Sequence, residues 1–304
     1  MMKPRAKLGD LRPALAFLTP NLFGFLLFTA GPVLFSIYLS FTSWDALRPP
    51  HWIGLGNYVR LLGFEDTPQG WRASDPDFWR YLGNTFFLLL TLPLNIAGSL
   101  MLALVLNQRL RFQAFYRLMY FLPSILYGVA IFFLWKYMFE PNYGLFNAIL
   151  GRMGVAPLRW LEDPHLAKPA LIFMMLWLTV GGAGMIIYLA ALQTVPEELH
   201  EAARIDGANR WQQFWNVTWP ALRPATFFIF TMGLIANLQW SFDVAYIMTD
   251  GGPFGSTTTL AFYLYLKAYR FFEMGYASAI AWILFFITLA LTLVQWRRSG
   301  ESTL

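Results

Sequence analysis

Apolar positions along this chain fall into long uninterrupted runs, not into strand-like alternation or a narrow helical stripe. A hydrocarbon core about 30 Å thick is crossed by ~20 helical residues at ~1.5 Å each. Windows of about 18 or more residues free of Asp, Glu, Lys and Arg are therefore candidate spans. Six occur: Pro13 to Trp44, Tyr81 to Gln108, Leu118 to Trp135, Pro169 to Pro196, Pro224 to Phe242 and Met274 to Trp296. They predict an all-α integral membrane protein with six transmembrane helices, near 14–41, 82–107, 117–138, 170–192, 222–247 and 275–296, in one domain over 1–304. The next longest run, Gly251 to Leu266, opens with GGPFGSTTT and is too short and turn-rich to span.

Composition agrees. The 304 residues are 57% hydrophobic and 13% charged, about half the charge of a soluble domain. That leaves too few solvated side chains to cover a globule and far too many apolar ones for disorder. Trp44, Trp79, Trp135 and Trp296 stand at run ends, where an indole suits the membrane interface. The net charge of +5 is dispersed, so no basic face for nucleic acid is expected. There is no cysteine, which removes disulfides and thiolate chemistry.

Lys3, Arg5, Lys7 and Arg12 precede the first run, which is longer than a signal-peptide core and has no small-residue cleavage site after it. It reads as an uncleaved span with a cytoplasmic N-terminus; six spans return the C-terminus to the same side. The inner segments then hold Arg109, Arg111, Arg117, Arg204, Arg210, Arg223, Arg297 and Arg298 as well, while most acids fall outside.

Nucleotide-burning chemistry is missing. No Lys follows a Gly, so a G-x-x-x-x-G-K-[ST] phosphate loop cannot form. His200-Glu201 begins like a zinc-protease helix, but Arg204 stands where the second His is needed. No metal, cofactor or catalytic set is expected. A stand-alone ion-coupled transporter is the alternative; it calls for ionisable groups near the midplane, and Asp243 alone lies close to a span.

The loop from Gln193 to Arg223 is the most patterned polar segment. Thr194 with Glu197 has the spacing of a capping box, and Gly207 can end the helix that carries Leu199, Glu201, Ala202 and Ala203. Asn209 with Gln212 can cap a second short helix ahead of Pro220 and the next span. A helix-turn-helix at the inner membrane face is expected, either packed on its own spans or offered to a partner.

Glu201-Ala202-Ala203, then Gly207, nine residues, and Val217-Thr218-Trp219-Pro220 resembles the EAA loop (194–220 here) of permease subunits in bacterial binding-protein-dependent ABC importers. Val217 and Trp219 replace the usual Ile and Leu. Gly54-Leu55-Gly56-Asn57-Tyr58, Asn84-Thr85, Phe121-Leu122-Pro123 and Thr249-Asp250-Gly251-Gly252-Pro253 resemble, in order, the carbohydrate branch of maltose and glycerol-phosphate type. The resemblance implies a type I permease fold in the bacterial inner membrane and no ATP hydrolysis on this chain. It implies a second homologous permease, two ATP-binding subunits that hold ATP and Mg, an extracytoplasmic solute-binding protein and a sugar substrate. It also makes Glu201, Ala202, Ala203, Asp206 and Gly207 the contact with the ATPase.

A sugar site near mid-membrane, lined from spans four and five, is implied as well. Trp177, Thr179 and Gly181 are candidates on span four, and Asn237, Gln239, Trp240 and Asp243 on span five. Amides hydrogen-bond hydroxyls and indole faces stack on sugar C–H surfaces. Close helix packing is the competing role for Trp177 and Gly181; capping the outer loop and holding the Thr249–Pro253 turn is that for Asp243. No Arg or Lys lies inside the charge-free runs, which favours a neutral sugar.

Overall fold

The computed structural model describes residues 11–68, 70–108, 110–126 and 128–300. Lys3, Arg5, Lys7 and Arg109 lie outside the described residues, as do the side chains of Arg12 and Arg298. The described chain is mostly helical. Four helices are long and apolar enough to cross a membrane: Leu15–Ser40, Pro76–Leu106, Arg210–Thr249 and Met274–Arg297. Two bent pairs, Gln113–Ile125 with Val129–Met138 and Pro164–Thr179 with Ala183–Gln193, make six if each pair is one span.

Contacts divide the chain into two compact units, one of Met1–Asp75 with Leu264–Ile283 and one of Pro76–Tyr263 with Leu284–Leu304. In the first, α1 (Leu11–Phe25) runs through a π-helical turn into α2 (Gly31–Ser40). Within Leu15–Ser40 only Leu39 and Ser40 are buried, so this span shows its apolar side chains almost all round. Beyond it lie a short β1–β2 hairpin (Thr42–Ser43, His51–Trp52), α3 (Gly56–Leu62) and a second hairpin, β3–β4 (Phe64–Thr67, Gly70–Ala73). The Gly54–Tyr58 motif ties α3 to the end of α2. The Asn57 amide donates to the carbonyls of Ser40 and Thr42, both at 2.9 Å, and the Tyr58 hydroxyl donates to Ser40 Oγ at 2.8 Å.

The second unit holds α4 (Pro76–Leu89), α5 (Thr91–Leu106), α6 (Gln113–Ile125), α7 (Val129–Met138), α8 (Leu145–Arg152), α9 (Pro164–Thr179) and α10 (Ala183–Gln193). After these come α11 (Glu197–Ile205), α12 (Arg210–Gln213), α13 (Trp219–Asp243) and α14 (Leu260–Tyr265). The last helix, α15 (Met274–Gly300), begins in the first unit and ends in this one. Two apolar clusters form the core. One gathers Leu88, Phe132, Trp135, Leu171, Met175, Leu178 and Met248; the other gathers Leu100, Leu106, Met185, Tyr188, Leu222 and Ile229.

The predicted third span is not one straight helix. Pro123 lacks a donor, the backbone breaks between Ile125 and Val129, and α6 and α7 diverge by 101°. Trp135, expected at an interface, is instead 2% exposed and packs against Phe139, Phe146, Phe173 and Trp177. The fourth span also breaks, at Gly181 and Gly182, with a bend of 48° between α9 and α10.

Candidate functional site

Three places in the second unit carry the candidate residues: the α11 loop, a buried turn after α13, and a cavity between them.

Helix α11 starts after Pro196, whose backbone is extended. The expected Thr194–Glu197 capping box does not form, because the Thr194 hydroxyl turns back to the Ala191 carbonyl at 2.8 Å. Glu197 pairs instead with Arg204 at 3.2 Å, and Glu201 lies 3.8 Å from the same guanidinium. That arrangement gathers the charge of Glu197, Glu201 and Arg204 on one side and leaves Leu199 and Ala202 on another.

The C-terminal end is built as the sequence predicts. The Ala208 N–H donates to the Ala203 carbonyl at 2.9 Å and the Gly207 N–H to the Arg204 carbonyl at 3.1 Å, a Schellman pair. It requires a left-handed residue at 207, and Gly207 has φ +78°. No residue of α11 is buried, and Ile205 next to the turn is 86% exposed.

The Asn209–Gln212 capping box is present, with both reciprocal bonds at 2.8–2.9 Å. The second helix of the pair is not separate, however. It continues through a π-helical turn over Phe214–Thr218, where the Trp219 N–H reaches the Phe214 carbonyl, and carries Pro220 into α13 without a stop. The result is one helix of 40 residues from Arg210 to Thr249.

At the other end of that helix the loop that follows the Thr249–Pro253 motif folds over the Asn84-Thr85 motif of α4. The Asn84 amide donates to the carbonyls of Gly255 at 3.0 Å and Thr258 at 2.9 Å, while its oxygen accepts from Lys168 at 3.1 Å. Thr85 Oγ1 accepts from the Leu260 N–H at 2.9 Å, and Arg80 donates to the Phe254 carbonyl. Thr257 shares a hydrogen bond of 2.6 Å with Thr249 and donates to the Gly252 carbonyl at 2.8 Å. Asp243 has no part in this: the backbone stays helical past it through Val244–Thr249, so it neither caps the loop nor holds the turn.

Thr179 and Trp240 come together in a cavity of about 310 Å³ between α5, α9–α10 and α13. Leu178 and Ile229, one from each apolar cluster, line it, so it lies where the two clusters meet. Asn95, Ser124, Gly182 and Gly184 add polar and backbone surface, and no charged side chain lines it. Asn237, Gln239 and Asp243 do not line this cavity.

Trp177 lies outside it, on a separate apolar groove with Met101, Met119 and Tyr120. Gly181 is buried at φ +90°, where a Cβ would stand 2.6 Å from the Tyr120 carbonyl, so close packing with α6 accounts for this glycine. Asn95 and Ser124 gave no signal in the sequence, being single small polar residues inside apolar runs.

The signature of the family described as binding-protein-dependent transport system inner membrane component matches residues 95–297. The chain is 36% identical over 99% of its length, and 94% of the relative's, to the probable ABC transporter permease protein YesP of Bacillus subtilis. It is 35% identical to the lactose transport system permease protein LacF of Rhizobium radiobacter, covering 94% of this chain and 93% of that one. A chain of a bacterial alginate ABC transporter, solved in complex with an alginate pentasaccharide-bound periplasmic protein, superposes with a TM-score of 0.78 at 22% identity, covering 94% of each chain. The chain belongs to the family of binding-protein-dependent transport system inner membrane components, as a multi-pass permease subunit.

Proposed function

We propose that this chain is the translocation subunit of an ATP-driven sugar importer and forms half of the pathway with a second homologous permease. Two ATP-binding subunits, which hold ATP and Mg, grip it at α11, and an extracytoplasmic solute-binding protein delivers the sugar. The observation that carries the coupling role is α11 itself. It is a short helix with a capped C-terminus and no buried residue, fastened through the four residues Asp206 to Asn209 to a helix of 40 residues. A partner that seats Leu199, Ala202 and Ile205 covers apolar surface now open to water, and its displacement is passed as a rigid-body movement to α10 and α13.

Sugar as substrate is supported by the lactose transport named for LacF and by the uncharged lining of the Thr179–Trp240 cavity. An indole with hydroxyl and amide groups suits a neutral saccharide. Asn237, Gln239 and Trp177 are kept as contacts completed by the second permease, as is Asp243. Asp243, the ionisable group a stand-alone ion-coupled transporter would use, is not a lining residue of the cavity. N- and C-termini are assigned to the cytoplasmic side with α11.

The test is extraction in mild detergent through a tag on this chain. An ATP-binding chain is expected to remain bound, and Glu201→Arg with Ala202→Glu is expected to release it while the permease stays folded. Retention of the ATP-binding chain by the double variant would remove α11 from the contact.

A further inference from the structure

The transport reading leaves unused a groove of about 360 Å³ between α6 and α10. Its walls are Leu118 and Phe121 of α6 with Leu189 and Ala190 of α10, and its polar end is formed by Arg117 and Gln193. Arg117 is poorly provided for. One terminal nitrogen donates to the Leu106 carbonyl at 3.4 Å, but Nε is shut away from water with no acceptor among the described residues. With Nε shut inside and one terminal nitrogen on a long bond, the guanidinium charge has no carboxylate partner among the described residues, and its terminal nitrogens are what a groove ligand can meet.

Nor does the surrounding sequence supply one. No Asp or Glu occurs between Asp77 and Glu140, while Arg111 and Arg117 both fall in this stretch. Just before the groove, Phe112, Phe115 and Tyr116 are exposed, a pattern of aromatic and cationic side chains that belongs at the headgroup level of a bilayer. Apolar walls ending in a guanidinium do not suit a free anion, which would gain nothing from Leu118, Phe121 and Leu189. They suit a molecule that is anionic at one end and hydrocarbon at the other.

We infer that the α6–α10 groove is a site for an anionic phospholipid, with the headgroup phosphate on the Arg117 guanidinium and Gln193 and an acyl chain along the apolar walls. The guanidinium fork meets two phosphate oxygens at once, the geometry that favours arginine over lysine for this ligand. Lipid in this groove wedges against α10, the half-span that leads directly to α11, so bilayer composition would bear on the position of the loop. This rests on the lipid-facing chemistry of the groove and stands whether or not α11 contacts an ATPase.

The experiment uses the intact transporter, purified through a tag on this chain and exchanged into nanodiscs of phosphatidylglycerol and phosphatidylcholine, with retained lipid counted by native mass spectrometry. Phosphatidylglycerol is expected to be retained over phosphatidylcholine by about fivefold. Arg117→Gln is expected to bring the ratio close to one. Ala190→Trp, which fills the groove and keeps the charge, is expected to reduce retention of both lipids. Excess inorganic phosphate should displace neither. Three results would overturn the inference: no lipid preference in the unaltered transporter, the same preference in Arg117→Gln, or efficient cross-linking of Ala190→Cys to another protein chain, which would show protein in the groove.

Discussion

The helix from Arg210 to Thr249 ends in two loops built on opposite plans. At the Thr249 end Thr257, Thr258 and Thr259 are buried and nearly every polar group finds a partner in its own chain, from Asn84, Thr85, Lys168 or a neighbouring threonine. At the Arg210 end α11 buries nothing, its ion pairs are exposed, and Leu199 and Ile205 stand in the open. The first loop is finished by folding; the second is finished only by something else. Sequence variation at the first should therefore be read as stability, and at the second, on the proposed function, as coupling.

That contrast can be broken by substitution. Glu201→Arg with Ala202→Glu sets a repulsive charge and extra bulk on the open face; sugar uptake in proteoliposomes of the assembled transporter is expected to fall about 30-fold or more, since like charges at an interface cost several kcal/mol. Thermal stability of the detergent-solubilised chain is expected to stay unchanged, because surface changes of this kind are worth about 0.5 kcal/mol or less. Unfolding of the variant would show that the loop is packed after all.

Asn84→Ala should do the reverse. It removes two donated bonds and the acceptor of Lys168, for a loss of about 3 kcal/mol in denaturant unfolding; a loss below about 1 kcal/mol would mean that the turn after Thr249 stands without its anchor. Gly207→Ala leaves free space for the methyl but keeps φ at +78°, for about 1 kcal/mol of local strain. Its readout is faster backbone amide exchange confined to α11 and the turn after it, and exchange spreading into α13 would contradict the independence of the loop. The smallest effect tests the outer turn itself. Ser256 Oγ is buried without a partner among the described residues, so Ser256→Ala is expected to be neutral within about 0.5 kcal/mol, whereas Thr257→Ala loses about 1 kcal/mol. Equal losses at the two positions would show that burial, not hydrogen bonding, holds the turn.

Much of this was legible in the residues. Charge-free windows overlap the four long apolar helices and the two bent pairs because hydrocarbon disfavours charge, and Gly207 and the Asn209–Gln212 box are local devices whose partners lie within a few positions. Thr194 misled for a local reason too: its hydroxyl had a helix carbonyl behind it, at Ala191, as near as the N–H groups ahead. The bend between α6 and α7 was masked because Pro123 sits in unbroken apolar sequence. What could not be read was pairing at a distance. Asn84 and Gly255 are 171 positions apart and only the packed helices set one beside the other. Asn95 and Ser124 become part of one cavity with Thr179 and Trp240 for the same reason.

The unbroken helix has a mechanical consequence. Forty residues follow about 60 Å of axis, roughly twice the thickness of the hydrocarbon. Such a rod projects past the bilayer and acts as a lever. Tilting it by about 5° about one tip carries the other through about 5 Å, close to one helical turn. Because the Thr249 tip is tied through Thr257 to the loop that Asn84 holds, a push on the Arg210 tip finds its fulcrum there, and the greatest travel belongs to the end next to α11, which buries nothing.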